Sequence, residues 1–212
     1  MLSLPAKVLK KFHTLTSNPV GVYYMYAGKM KAMLVKLRGG VPPVYGENYD
    51  RHWNFTSFKD KVVLDLGADY GSTAYYFLGK GAKRVIAVEG DAGLAKKLAS
   101  NFKKDERVIP IAGFIEKAEQ IDSLISSYHP DIVKVDIEGN EKCLLDAKRV
   151  DDVKEWLIEA HTEEAYRTLC RLLAEHGFRV RVFNYLSHLK ILHATKIVRN
   201  RRNVKKEGDD EC

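Results

Sequence analysis

Between residues 62 and 198, short apolar runs alternate with stretches of helical periodicity, and that alternation restricts the chain to a layered α/β fold. Val62–Leu66 is a largely apolar run closed by Gly67 and reads as a buried strand. A short helix over 72–80 follows, ended by Gly81, then a strand over 84–88 and a helix over 92–102. A third strand is expected at 108–111. Ala118, Ile121, Leu124 and Ile125 then recur at helical spacing until Pro130. Ile132–Val135 is a fourth strand with a helix over 141–148, and 156–160 a fifth. Tyr166, Leu169, Cys170 and Leu173 mark a last helix ending at Gly177. The runs around 178–182 and 191–198 lie too close together for a crossover helix, so they should pair antiparallel as a hairpin. The result is a doubly wound, mostly parallel sheet with helices on both faces and one reversed strand.

The flanks differ from this core. Residues 1–58 are basic, with Lys7, Lys10, Lys11, Lys29, Lys31, Lys36, Arg38 and Arg51 against Glu47 and Asp50. Helices are expected over 6–14 and 25–37, and an irregular segment over 41–53, where Pro42 and Pro43 bar a helix. Three parts follow: a basic appendage (1–58), a nucleoside-binding domain (59–198) and a polar tail (199–212). No apolar run reaches the roughly 18–20 residues of a membrane span, and Lys7, Lys10 and Lys11 interrupt any apolar leader. Three scattered cysteines, Cys143, Cys170 and Cys212, form neither a disulfide framework nor a CxxC zinc site, so a cytoplasmic location is expected.

In an open α/β sheet the ligand lies beyond the carboxyl ends of the strands. After the first strand comes Asp65-Leu-Gly67-Ala68-Asp69-Tyr-Gly71. Gly67 permits a sharp turn, Ala68 keeps the approach open, and Gly71 lets the next helix pack closely. Glu89 ends the second strand about 20 residues later, placed to accept both ribose hydroxyls, with Gly90 behind it. A dinucleotide would need a glycine where Asp69 stands, since that carboxylate repels a diphosphate. No GxxxxGK[ST] loop is present either. A cationic, phosphate-free nucleoside suits the acid-rich cleft of Asp65, Asp69, Glu89 and Asp136, and S-adenosylmethionine is such a ligand.

These residues carry a family resemblance. The Asp65-x-Gly67-x-x-x-Gly71 spacing, Glu89 and the acidic fourth strand resemble class I, Rossmann-like methyltransferases. The run Val133-Lys134-Val135-Asp136-Ile137-Glu138-Gly139-Asn140-Glu141 is similar to the signature of the FkbM-type branch, as is Ile158-Glu159-Ala160-His161 at the end of the fifth strand. The resemblance spans roughly residues 61–196. It implies a seven-stranded sheet of order 3-2-1-4-5-7-6 with strand 7 antiparallel, and methyl transfer, often to a hydroxyl oxygen. It also implies that Gly113 and Phe114 cover the adenine, although Phe114 fits a core role equally. Asp69 stands where that branch usually has Asn; it can meet the cofactor's amino group or cap the next helix.

Asp136 and Glu138 alternate with Val135 and Ile137, so both acids should point to one side of the strand end. His161 can remove a proton from an acceptor near neutral pH. Asp136, Glu138 and His161 are therefore the catalytic candidates. Asp136, Glu138 and Glu141 also make a set of hard oxygen ligands, but Glu141 suits a helix N-terminus and no metal is expected. The expected reaction is O-methylation of a sugar or other small hydroxylated metabolite. The alternative acceptor is RNA, held by the basic front and by Arg199, Arg201, Arg202, Lys205 and Lys206, a cluster offset by Glu207, Asp209, Asp210 and Glu211.

Overall fold

The computed structural model describes residues 40–42, 48–184 and 190–197. The helices expected over 6–14 and 25–37 and the polar tail lie outside the described residues. The chain divides into two compact units, Met1–Asn48 and Tyr49–Cys212, and the second carries the sheet. Within it run α1 (Tyr49–Trp53), β1 (Val62–Leu66), α2 (Ser72–Gly79), β2 (Arg84–Glu89), α3 (Ala92–Asn101), β3 (Val108–Ala112), α4 (Ala118–Tyr128), β4 (Ile132–Val135), β5 (Glu155–Ala160), α5 (Glu163–Glu175), β6 (Phe178–Asn184) and β7 (Lys190–Lys196). Among the described residues no helix is long and apolar enough to cross a membrane.

The seven strands stand in the order β3-β2-β1-β4-β5-β7-β6. All neighbours are parallel except β7, which is antiparallel to both β5 and β6. The order reverses between β1 and β4, which opens a crevice at their carboxyl ends. Pro110 lies in β3, an edge strand paired on one side only, where a residue without an N–H is tolerated. One face of the sheet presents Leu64, Leu66, Ile86, Val88, Val133, Val135, Trp156 and Ile158 to a core completed by Ile121, Ile125, Leu169 and Leu173. The other face carries Asp65 and Lys134, and Trp53, Phe58 and Phe77 are buried as well.

Two expectations about local structure change. Residues 41–53 are not irregular throughout, because α1 forms at Tyr49–Trp53, beyond the reach of Pro42 and Pro43. Tyr49 Oη bonds Ser72 Oγ at 2.9 Å, tying α1 to α2. The helix expected over 141–148 is instead a 3₁₀ turn at Glu141–Asp146 followed by a second at Val150–Asp152. The Asp122 carboxylate accepts the backbone N–H groups of Lys148 and Arg149, drawing the chain towards α4 before a helix can continue.

Candidate active site

The loop after β1 is held from three sides. Gly67 has φ 78, and a Cβ there would lie 1.7 Å from the carbonyl oxygen of Asp136, so only glycine lets this loop approach the end of β4. Gly71 packs its bare Cα against Phe102 and Leu98 of the neighbouring helix region. Glu89 supplies the third support: its Oε2 accepts the N–H of Asp69 and its Oε1 that of Asp91, both at 2.7 Å. Each carboxylate oxygen has a second lone pair, so Glu89 can hold the loop and still accept two hydroxyls. Asp69 takes φ 54, and its carboxyl is pushed up by burial and by Glu89 beside it. The N-cap of α2 is Gly71, and the Asp69 carboxyl accepts instead from the backbone N–H of Tyr70.

Phe114 is not a core residue. Its side chain is 63% exposed and its ring lies against Gly90, where an added Cβ would come within 2.3 Å of Cδ1. Its backbone is fixed by Gln120, which donates to the Phe114 carbonyl at 2.8 Å, while the Gly113 N–H bonds the Glu89 carbonyl. An exposed flat ring thus stands beside the carboxylate that ends β2.

Asp65 departs from the expectation that it meets the ligand. It is fully buried, accepts from Thr73 Oγ1 at 2.5 Å and lies 3.2 Å from Lys134 Nζ. Lys134 is the residue that sequence reasoning passed over, although a lysine between Val133 and Val135 in a central apolar strand was the available signal. Its ammonium is fully buried and donates to the carbonyls of Gly67 at 2.7 Å and Leu66 at 3.3 Å. It also lies 3.5 Å from Asp136 Oδ2 and 5.5 Å from the centre of the Trp53 ring. Burial alone would push the Lys134 pKa down, but Asp65 and Asp136 outweigh it and hold the ammonium charged.

Asp136 and Glu138 do not lie on a common strand. β4 ends at Val135, and Glu138 takes φ 52 on an exposed loop, which breaks the expected alternation. The neighbours of Asp136 come instead from the end of β5 and the residue just after it. Asp136, Glu159 and His161 each bring one polar atom to within 4.8 Å of the others. His161 Nε2 lies 3.8 Å from Asp136 and 3.9 Å from Glu159, while Nδ1 bonds the buried Glu141 at 2.7 Å. The Glu141 bond, opposed by burial but aided by Asp136 and Glu159, raises the His161 pKa to about 9. Glu141 itself is held below its ordinary value: burial opposes this, but His161 and the Gly139 N–H outweigh it. The oxygen set Asp136, Glu138 and Glu141 is therefore not assembled. Protonated His161 and Lys134 supply the positive charge of this acidic corner.

The comparisons agree with this geometry. A family model described as the methyltransferase FkbM domain matches residues 110–180. Uncharacterized protein 158B of Sulfolobus islandicus rod-shaped virus 1 is 33% identical over 132 residues, covering 60% of this chain and 79% of that protein. The histone-arginine methyltransferase CARMER of Anopheles gambiae is 30% identical over 123 residues; the match covers 53% of this chain but only 20% of that protein. Among solved structures, precorrin-6y C5,15-methyltransferase from Geobacter metallireducens superposes with a TM-score of 0.50 at 23% identity, covering 66% of this chain and 81% of that one. Aeropyrum pernix fibrillarin, solved with natively bound S-adenosyl-L-methionine, gives 0.51 at 16% identity, covering 65% of this chain and 67% of that one. These two show the fold.

The sheet order, the glycine loop at the crevice and the family match define a class I, Rossmann-like methyltransferase that uses S-adenosylmethionine. Within that class, the match over residues 110–180 is to the FkbM-type branch.

Proposed function

We propose that this methyltransferase methylates a hydroxyl oxygen of a sugar or other small hydroxylated metabolite at the corner formed by Asp136, Glu159 and His161. The observation that carries the reading is the placement of His161. Its Nδ1 is tied to Glu141 at 2.7 Å, and Nε2 is turned towards Asp136, whose own backbone contacts the glycine loop. When bound, the cofactor supplies a methyl carbon already activated by a sulfonium, with a neutral thioether as leaving group. The chain's task is alignment, charge and the acceptor proton.

Glu89 accepts the ribose hydroxyls, with Gly90, Gly113 and Phe114 forming the wall beside the adenine. Gly67, Ala68 and Gly71 shape the loop, and Asp69 and Asp136 face the cationic end. Asp65 acts beneath them by holding Lys134. An alcohol must lose a proton as it is methylated, and Nε2 of neutral His161 is the atom that takes it. With a pKa of about 9, most His161 is charged at neutral pH. Methyl transfer should therefore accelerate as pH rises from 7 towards 9. Glu138, exposed at the loop's tip, can contact the acceptor from the solvent side.

Incubation of the protein with methyl-labelled donor and fractionated cell extract tests the reading. Label should enter small molecules or glycans, and His161→Asn should abolish the pH dependence. Label confined to RNA would replace this acceptor class with the other, and label in no fraction would refute methyl transfer.

A further inference from the structure

Glu159 carries no step of methyl transfer, yet the fold sets it beside Asp136 and His161. β4 and β5 run parallel with Val135 opposite Ile158, so one step further along the chain Asp136 stands next to Glu159. Residues two apart along an extended chain share a face, which brings His161 to the same side. One polar atom from each of the three lies within 4.8 Å of the other two. The side chains of Asp136, Glu159 and His161 are 28%, 12% and 22% exposed, so a small solute can reach them from solvent.

The imidazole is aimed as well as placed. Its Nδ1 is bonded to Glu141 at 2.7 Å, and Glu141 is itself buried and fixed by the Gly139 N–H at 2.9 Å. A carboxylate on one ring nitrogen orients the other and raises its basicity, which is the usual support of a metal-bound histidine. Glu141 Oε2 is buried without a hydrogen-bond partner, so positive charge across the ring relieves this carboxylate. Nε2 faces Asp136 Oδ1 at 3.8 Å and Glu159 Oε1 at 3.9 Å, too long for hydrogen bonds. Ligand atoms about 2.1 Å from a tetrahedral ion stand about 3.4 Å apart, so side-chain shifts of roughly 1 Å or less close the set. Asp136 meets Lys134 through Oδ2, which leaves Oδ1 for an ion.

We propose that Asp136, Glu159 and His161 form a three-ligand site for a divalent transition-metal ion of the zinc class, with its remaining position taken by water. One imidazole nitrogen with two carboxylate oxygens suits zinc or cobalt, whereas magnesium and calcium prefer oxygen-only shells. An ion seated there holds the Nε2 lone pair that would otherwise receive the acceptor's proton, so it arrests methyl transfer. That consequence rests on the methyl-transfer reading; the site itself does not.

Zinc chloride titrated calorimetrically into the full chain at pH 8, with magnesium chloride as comparison, tests the site. Zinc should bind the parent, and magnesium should not bind at the same concentrations. Glu159→Gln and His161→Ala should each weaken zinc by about 100-fold or more, while S-adenosylmethionine affinity, the control for folding, stays within about twofold. Glu159→Gln, the conservative change, carries the comparison if His161→Ala loses donor binding. Cobalt(II) in place of zinc should give visible absorption bands that Glu159→Gln removes. A parent that binds no zinc, magnesium bound as tightly as zinc, or zinc bound equally by parent and Glu159→Gln overturns the proposal. The methyl-transfer reading fails separately. Zinc bound at the corner with transfer undiminished would refute the proton-taking role of His161 and leave the ion site standing.

Discussion

Replacing Glu141 by Gln should remove a step in the pH dependence of stability. In the folded chain the Glu141 carboxylate bonds His161 Nδ1 at 2.7 Å and is the leading reason that the imidazole titrates at about 9 rather than 6.5. Because the folded value lies above the unfolded one, the folded protein binds this proton more tightly. The resulting stabilisation is complete below about pH 6.5 and disappears as the pH rises through about 9. A difference of roughly 2.5 units at 1.36 kcal/mol per unit gives about 3 kcal/mol. The His161 side chain is only 22% exposed, so solvent screening reduces this little. Urea unfolding followed by tryptophan fluorescence, at about pH 6 and pH 9.5, should show the parent losing on the order of 3 kcal/mol between them. Glu141→Gln should lose under about 1 kcal/mol, and its His161 ring protons should titrate nearer 6.5 by NMR. Identical pH profiles for parent and variant, or a parent His161 titrating near 6.5, would refute the pairing.

Lys134→Met should destabilise the fold by about 3–5 kcal/mol, because it leaves the fully buried Asp65, whose carboxyl burial already pushes up, without the cation that pairs with it, so that it must take up a proton or stay unpaired. The double variant Lys134→Met/Asp65→Leu should regain much of that stability in urea unfolding yet still bind S-adenosylmethionine weakly, since the Leu66 and Gly67 carbonyls have lost their donor. A double variant with parental donor affinity would show that Lys134 serves packing alone. Gly67→Ala forces a Cβ to 1.7 Å from a backbone oxygen at φ 78, so a loss of about 3 kcal/mol or more and a displaced cofactor loop are expected. Thermal unfolding and donor titration check both effects, and an unchanged midpoint with unchanged affinity would contradict the loop geometry.

The sheet was legible because its strands are short, β-branched and separated by segments of helical periodicity, and because the link between β6 and β7 is too short for a crossover. Gly67, Gly71 and Glu89 could be placed for the same reason: each sits a fixed distance after a strand, and the topology brings strand ends together. Contacts between strands that are far apart in sequence were less accessible. Glu159 and His161 meet Asp136 through pairing of β4 with β5, whereas the alternation along β4 suggested Glu138 as its companion, and φ 52 at that residue is not visible in residue types. Asp65 reads as a ligand contact until Thr73 and Lys134 are seen to occupy it. Glu141, taken for a helix-starting acid, becomes the group that fixes His161 once the 3₁₀ turn folds it inward.

Titration of S-adenosylmethionine into the parent and Glu89→Ala proteins by calorimetry tests the donor pocket most directly. Removing that carboxylate frees the Asp69 and Asp91 N–H groups and deletes the acceptors for both ribose hydroxyls, so donor binding should weaken by a factor on the order of 100 or be lost. Equal affinity of the two proteins would place the ribose elsewhere and contradict the account.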